Sequence, residues 1–357
     1  MSNHNDFSDT NQTHNRILSL NIPDYRAAYS DRTAWLMSCF SELSYIRFNE
    51  FLPEHQKQFF IDKLDQLVAA DKWSGVKMKV LQALMDKLDY DPGKEEKQLK
   101  KYTASLKFKL LKCFEGKRTN TQAILVGNDE RLILAFRGTE TDSFQDLKTD
   151  AKAVSVPDAS GRAHKGFIEA YEEVSGEIES FLASSKKLAE LPLYLTGHSL
   201  GGALATTAAR KMQHAGGIAA CFTFGSPRVG DENWIDGMKT PLYRIVNAAD
   251  AVTMLPPGTI TVTALSWLSQ FVPFVGHDLR PLILARFDGY LHGGNMRYLT
   301  NCTPGDFSKV KLLYSVSIMY RLKGLIFQNM PWSSLFSDHS IKTYRKKLEE
   351  IAIRRNS

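Results

Sequence analysis

Leu195-Thr196-Gly197-His198-Ser199-Leu200-Gly201-Gly202-Ala203 is the stretch that decides the fold. It sets Gly197-x-Ser199-x-Gly201 between a short apolar run, Leu191 to Thr196, and an Ala-rich helical segment, Leu200 to Gln213. A serine on a tight strand-to-helix turn needs small neighbours, because the backbone there is crowded and strained. The turn exposes the hydroxyl and aims helix N-terminal N–H groups at developing negative charge. The bare pattern would arise by chance about 0.1 times in a chain of this length. The strand before it and the helix after it therefore carry as much weight as the motif.

On either side the chain alternates strand and helix. Gln122 to Val126 and Arg131 to Phe136 are apolar runs joined across Gly127-Asn128-Asp129, a good hairpin turn. Ala163 to Leu182 reads as a helix, and Ile218 to Phe224 and Leu242 to Val246 read as buried strands. This order predicts an α/β architecture with a largely parallel sheet. Upstream, Asp24 to Lys112 reads as mainly helical. Ala34, Trp35, Cys39 and Leu43 fall near helix spacing, as do Phe59, Ile61, Leu64 and Leu67, and Val80, Leu81, Leu84 and Leu88. Asp91-Pro92-Gly93 is a break. The expected organisation is a flexible polar tail over 1–22, a mostly helical region over 23–118 packed on the core, and a catalytic domain over 119–357 with an insertion near 258–289.

The 357 residues carry 24% charged and 43% hydrophobic side chains, which excludes a disordered, collagen-like or polytopic membrane protein. No run of 18 apolar residues offers a membrane span. A net charge of +6 is too small to predict nucleic-acid binding. Basic residues gather in Lys94 to Arg118 and in Ser340 to Ser357; both read as solvated helix faces, the alternative being contact with an anionic surface. Cys39, Cys113, Cys221 and Cys302 lack metal or disulfide spacing and read as small buried hydrophobes. The polar N-terminus has no basic and apolar leader pattern, so no Sec signal is read, and compartment stays open between the cytoplasm and signal-less export.

His198-Ser199-Leu200-Gly201-Gly202-Ala203-Leu204-Ala205 resembles the serine-bearing turn of the class 3, fungal-type lipase family of α/β-hydrolases. Phe136-Arg137-Gly138-Thr139 is similar to that family's oxyanion loop. His164-Lys165-Gly166-Phe167 with Tyr171, Thr223 to Gly230, and Val246-Asn247-x-x-Asp250-x-Val252 with Leu255-Pro256-Pro257 follow in the family's order. The resemblance spans roughly Gln122 to Tyr344. It implies an α/β-hydrolase fold: a central, mostly parallel sheet flanked by helices, to which this chain adds the helical N-terminal extension.

A hydroxyl is a poor nucleophile at its free pKa, so Ser199 needs a base, and the base needs an acid. In α/β-hydrolases the chain order is serine, acid, histidine. Asp250 follows a predicted strand, and Asp231 is its rival; the resemblance favours Asp250. His277, His292 and His339 all follow it. The Gly289-Tyr-Leu-His292-Gly-Gly294 segment resembles a family strand whose histidine is not the base. Ser337-Asp338-His339-Ser340-x-x-x-Tyr344 resembles the segment that carries it, although the family's spacing to the tyrosine is not kept. His339 also precedes an amphipathic helix with Ile341, Tyr344, Leu348 and Ile351 on one face. His198 and His164 read as structural. The oxyanion donors are the Leu200 N–H and, through the resemblance, Thr139.

The resemblance implies a serine carboxylic-ester hydrolase of the triacylglycerol lipase kind, acting on lipid or ester substrates at a lipid–water interface, with no cofactor and no metal. Phospholipase A1, short-chain esterase and an exported membrane-damaging effector are the neighbouring alternatives, and a binding protein with lapsed catalysis is the distant one. Glu140 to Val156 takes the place of the family's movable lid and is weakly amphipathic. The apolar run Val262 to Val275 reads as a packed insertion or as a hydrophobic flap, and Val310 to Phe327 reads as a packed helix.

Overall fold

The computed structural model describes residues 11–19, 27–48, 91–138, 154–248, 250–256, 289–303, 305–317, 320 and 338–355. The chain divides into two compact units, one made of residues 1–45 with 103–357 and one of residues 46–102. The described helices are α1 (Asn11–Ser19), α2 (Asp31–Leu43), α3 (Pro92–Ser105), α4 (Lys165–Leu182), α5 (Lys186–Glu190), α6 (Leu200–Lys211), α7 (Glu232–Asp236) and α8 (Ile341–Arg354). None is long and apolar enough to cross a membrane. In the smaller unit α3 starts at the expected break, where Asp91 Oδ1 accepts the Gly93 N–H at 2.9 Å.

In the larger unit eight strands form one sheet: β1 (Lys109–Gly116), β2 (Thr121–Gly127), β3 (Leu132–Phe136), β6 (Leu193–His198), β7 (Ile218–Phe224), β8 (Leu242–Asn247), β9 (Asn295–Leu299) and β10 (Leu312–Leu313), in that spatial order. Strands β3, β6, β7, β8 and β9 run parallel, and the pairs at the two edges are antiparallel. A separate hairpin pairs β4 (Ser155–Asp158) with β5 (Gly161–His164). β3, β6, β7 and β8 are buried, apart from Ile218 at the start of β7, which is why β3 and β7 read as nearly continuous apolar runs.

The side chains of β6 show how both faces are used. Leu193 and Leu195 enter a cluster with Tyr171, Val174 and Ile178 of α4 and Leu204 and Ala208 of α6. On the other face Thr196 meets α2, where its hydroxyl lies 2.8 Å from Ser41 Oγ. Ala34, Trp35, Cys39 and Leu43 are buried as their spacing predicts, and α2 packs against α8. This is the α/β-hydrolase arrangement, with the N-terminal helix α2 covering one face of the sheet.

Several expectations need correction. Lys109–Gly116 falls in the stretch read as helical but forms edge strand β1, so the sheet begins before residue 119. Its charges, Lys109, Lys112 and Glu115, stand three residues apart, and that spacing is easily taken for a helix. Asn11–Ser19, in the expected tail, is helical with Ile17 buried. Leu312–Leu313, in the run read as a helix, forms β10, and Ser155–Val156 opens β4 rather than closing a lid helix. Arg345 and Lys347, in the basic run read as solvated, are 0% and 1% exposed. The apolar stripes at 59–67 and 80–88, the run at 262–275, His277, and residues 140–153 of the lid segment lie outside the described residues.

Candidate active site

The parallel strands end at one edge of the sheet, and the chemistry collects there. β6 runs into α6 through Ser199, whose φ of 57° and ψ of −128° leave it in a region most side chains avoid. The turn closes because Gly197 and Gly201 lack side chains: a Cβ on Gly197 would stand 2.1 Å from the Gly201 carbonyl oxygen. A Cβ on Gly201 would stand 2.2 Å from the Phe136 carbonyl oxygen at the end of β3. The sharp turn thus sits directly against the neighbouring strand. Leu200 is the first residue of α6, so its N–H has no acceptor within its own helix.

Asp250 follows β8, as expected. Its carboxylate is fully buried and accepts three donors: the Val252 N–H at 3.0 Å, the Tyr344 hydroxyl at 2.6 Å and the His339 ring at 2.9 Å. The last bond settles the proton arrangement of His339. A carboxylate only accepts, so Nδ1 carries the hydrogen, and in the neutral ring Nε2 is an acceptor. Nε2 lies 2.9 Å from Ser199 Oγ. Asp250, His339 and Ser199 form one hydrogen-bonded line across 140 residues of chain, with His339 6% and Ser199 2% exposed. A hydroxyl so placed can pass its proton to the imidazole as it attacks an electrophile, and the carboxylate can stabilise the imidazolium that results.

Neighbouring loops hold these groups. Arg228 donates its N–H to the Leu255 carbonyl at 2.7 Å, and its guanidinium bonds the carbonyls of Met254 and Pro256, fixing the loop after Asp250. Tyr344 of α8 also accepts the Asn247 N–H at 3.0 Å, so one hydroxyl ties β8, Asp250 and α8 together.

The other sequence candidates fall elsewhere. His292 donates Nε2–H to the Thr253 carbonyl at 2.5 Å, and Asp231 caps α7 by accepting the Trp234 N–H at 2.9 Å. His164 stacks on Phe167 with ring centroids 4.1 Å apart. His198 lies under the turn, its Nδ1 2.8 Å from the Tyr45 hydroxyl and its Nε2 2.6 Å from the His339 carbonyl oxygen. Burial, with His339 alongside, holds its pKa well below the usual histidine value, so the ring is neutral. Thr139 lies outside the described residues. Sequence reasoning missed Tyr45, Asn247 and Lys347 as neighbours of the site. Asn247 stood within a quoted motif, whereas a tyrosine just after α2 and a lysine in a basic run carry no local mark.

Residues 133–260 match the family model described as lipase (class 3). Over this segment, well under half of its length, the chain is similar to class 3 lipases. A secreted mono- and diacylglycerol lipase of Fusarium solani is 39% identical over 98 residues, covering 26% of this chain and 29% of that protein. A lipase of Rhizomucor miehei is 34% identical over 161 residues, covering 42% of this chain and 44% of that protein. The chain thus spans less than half the length of these relatives. Among solved structures, the propeptide complex of Rhizomucor miehei lipase is similar at 26% identity and a TM-score of 0.45, covering 60% of this chain and 63% of that one.

Proposed function

We propose that the protein hydrolyses carboxylic esters of lipids, acylglycerols foremost, through an acyl-enzyme on Ser199. His339 is the general base and then the general acid, and Asp250 orients it and stabilises its charge. Ser199 Oγ attacks the ester carbonyl while His339 Nε2 takes the hydroxyl proton. The same nitrogen protonates the departing alcohol, and water, activated in turn by His339, releases the fatty acid. The Leu200 N–H, at the positive end of α6, is the oxyanion donor on this side, and Thr139 supplies the second. The observation that carries this reading is the unbroken hydrogen-bonded line from Asp250 through His339 to Ser199. Similarity to a mono- and diacylglycerol lipase and to a lipase supports acylglycerols as the substrate class.

The test is hydrolysis of p-nitrophenyl esters from acetyl to palmitoyl, then of emulsified triacylglycerol and phospholipid, with wild type beside Ser199→Ala. Activity that rises with chain length and is lost in the variant supports a lipase. Equal activity in the variant removes Ser199 from the reaction.

A further inference from the structure

His339 sits in a two-residue turn, Asp338–His339, ahead of α8. A turn has no ladder of backbone bonds to fix it, yet both carbonyls flanking this ring are held by buried side chains. His198, the chain neighbour of Ser199, donates Nε2–H to the His339 carbonyl oxygen at 2.6 Å. Asn247, three residues before Asp250, donates Nδ2–H to the Asp338 carbonyl oxygen at 2.8 Å.

Each of these two side chains is set by a further residue. The His339 carbonyl only accepts, so the proton of the neutral His198 ring is on Nε2 and its Nδ1 accepts from the Tyr45 hydroxyl at 2.8 Å. The Lys347 ammonium only donates; it bonds Asn247 Oδ1 at 2.6 Å and the Thr300 carbonyl at 3.0 Å. With Oδ1 taken by the ammonium, the Asn247 amide must turn its N–H₂ toward Asp338. The His339 carbonyl therefore fixes the histidine tautomer, Tyr45 anchors that ring from its other nitrogen, and Lys347 selects the amide orientation that the turn requires.

We propose that Tyr45 and Lys347 are positioning residues of the reaction: through His198 and Asn247 they hold the His339 backbone from two sides, so that its ring stays between Asp250 and Ser199. The inference rests on the reading of Ser199 and His339 as nucleophile and base. It gives Tyr45, two residues past the end of α2, a share in the chemistry, although it lies upstream of the segment that matches the family model. The base must keep its place while it takes one proton and delivers it to a different oxygen, and small misplacements of reacting groups cost rate steeply.

The variants are Tyr45→Phe and Lys347→Met in the full chain. Tyr45→Phe removes one hydroxyl and keeps the ring. Active sites are titrated with a fluorophosphonate, and kcat, KM and the rate of phosphonylation are measured on the titrated enzyme. The expected result is a fall in kcat and in phosphonylation rate of about tenfold in each variant, with KM unchanged. In Tyr45→Phe the His198 Nδ1 resonance, read by ¹⁵N NMR, should shift as that nitrogen loses its hydrogen-bond donor. Wild-type kcat per titrated site in Tyr45→Phe, with only a lower melting temperature, overturns the inference. Should Lys347→Met fail to fold, Tyr45→Phe decides alone. Wild type that is not phosphonylated at Ser199 would instead overturn the reading on which the inference rests.

Discussion

Replacing Arg345 with methionine tests how firmly the N-terminal helix is built into the sheet unit. Arg345 lies on α8, fully buried, and its Nε donates to Glu42 Oε2 on α2 at 2.6 Å across 303 residues of chain. Its Nη1 donates to Glu349 Oε2 at 3.2 Å, one helical turn on. Glu42 is 4% exposed, so the substitution strands its carboxylate in the interior. Removing one partner of a buried ion pair costs about 3 to 5 kcal/mol, chiefly the desolvation of the charge left behind. That is a large share of the roughly 5 to 15 kcal/mol that holds a typical domain folded. At about 2 to 4 °C per kcal/mol, the melting temperature should fall by roughly 6 to 20 °C, toward the lower end in a chain this long. Thermal unfolding followed by far-UV circular dichroism measures it. Glu42→Gln combined with Arg345→Met should regain part of the loss, because the stranded charge is gone. A single variant that melts with the wild type would refute the reasoning, since the buried pair would then bear no load.

Two further outcomes follow from the same geometry. His14 has its pKa lowered to about 4 by burial and by the charge of Arg345, and burial keeps His198 well below its usual value. Both are neutral when folded and take up a proton near pH 6.5 when unfolded, so stability should be full above that pH and fall as pH drops toward 4. His14 alone accounts for about 2 kcal/mol at pH 5. Urea midpoints at pH 7.5 and pH 5 check this, and identical midpoints would contradict it. Gly176 of α4 has open space where a Cβ would go, so Gly176→Ala should stabilise by about 0.5 to 1 kcal/mol. Gly197→Ala meets backbone of Gly201 and Gly202 and should instead destroy the turn, giving little folded protein on expression. The paired melting curves and yields test the contrast.

The elements that line the site were legible because their physics is local. Ala219 to Phe224 and Leu242 to Asn247 are buried along their length and read as mainly apolar runs, interrupted in the second by Arg244. Gly197, Ser199 and Gly201 mark a turn that tolerates few other residues. Ile341, Tyr344, Leu348 and Ile351 mark α8 by periodicity, and all four are buried. What escaped the sequence depends on neighbours far along the chain. β1 spaces its charges three residues apart, as a helix would, and β10 is two residues long. Arg345 and Lys347 looked solvated among other basic residues. Only the fold brings Glu42 and Asn247 to them, at separations of 303 and 100 residues. Tyr45 reaches His198 across 153 residues by the same route.

The central claim is that Ser199 is a nucleophile driven by His339. The most direct measurement is reaction with a fluorophosphonate, followed by digestion and mass mapping, in wild type and in His339→Ala. One phosphonylated serine, Ser199, is expected, with labelling slowed by several orders of magnitude when the imidazole is gone. Labelling at another serine, or labelling of Ser199 at the wild-type rate in His339→Ala, would contradict it.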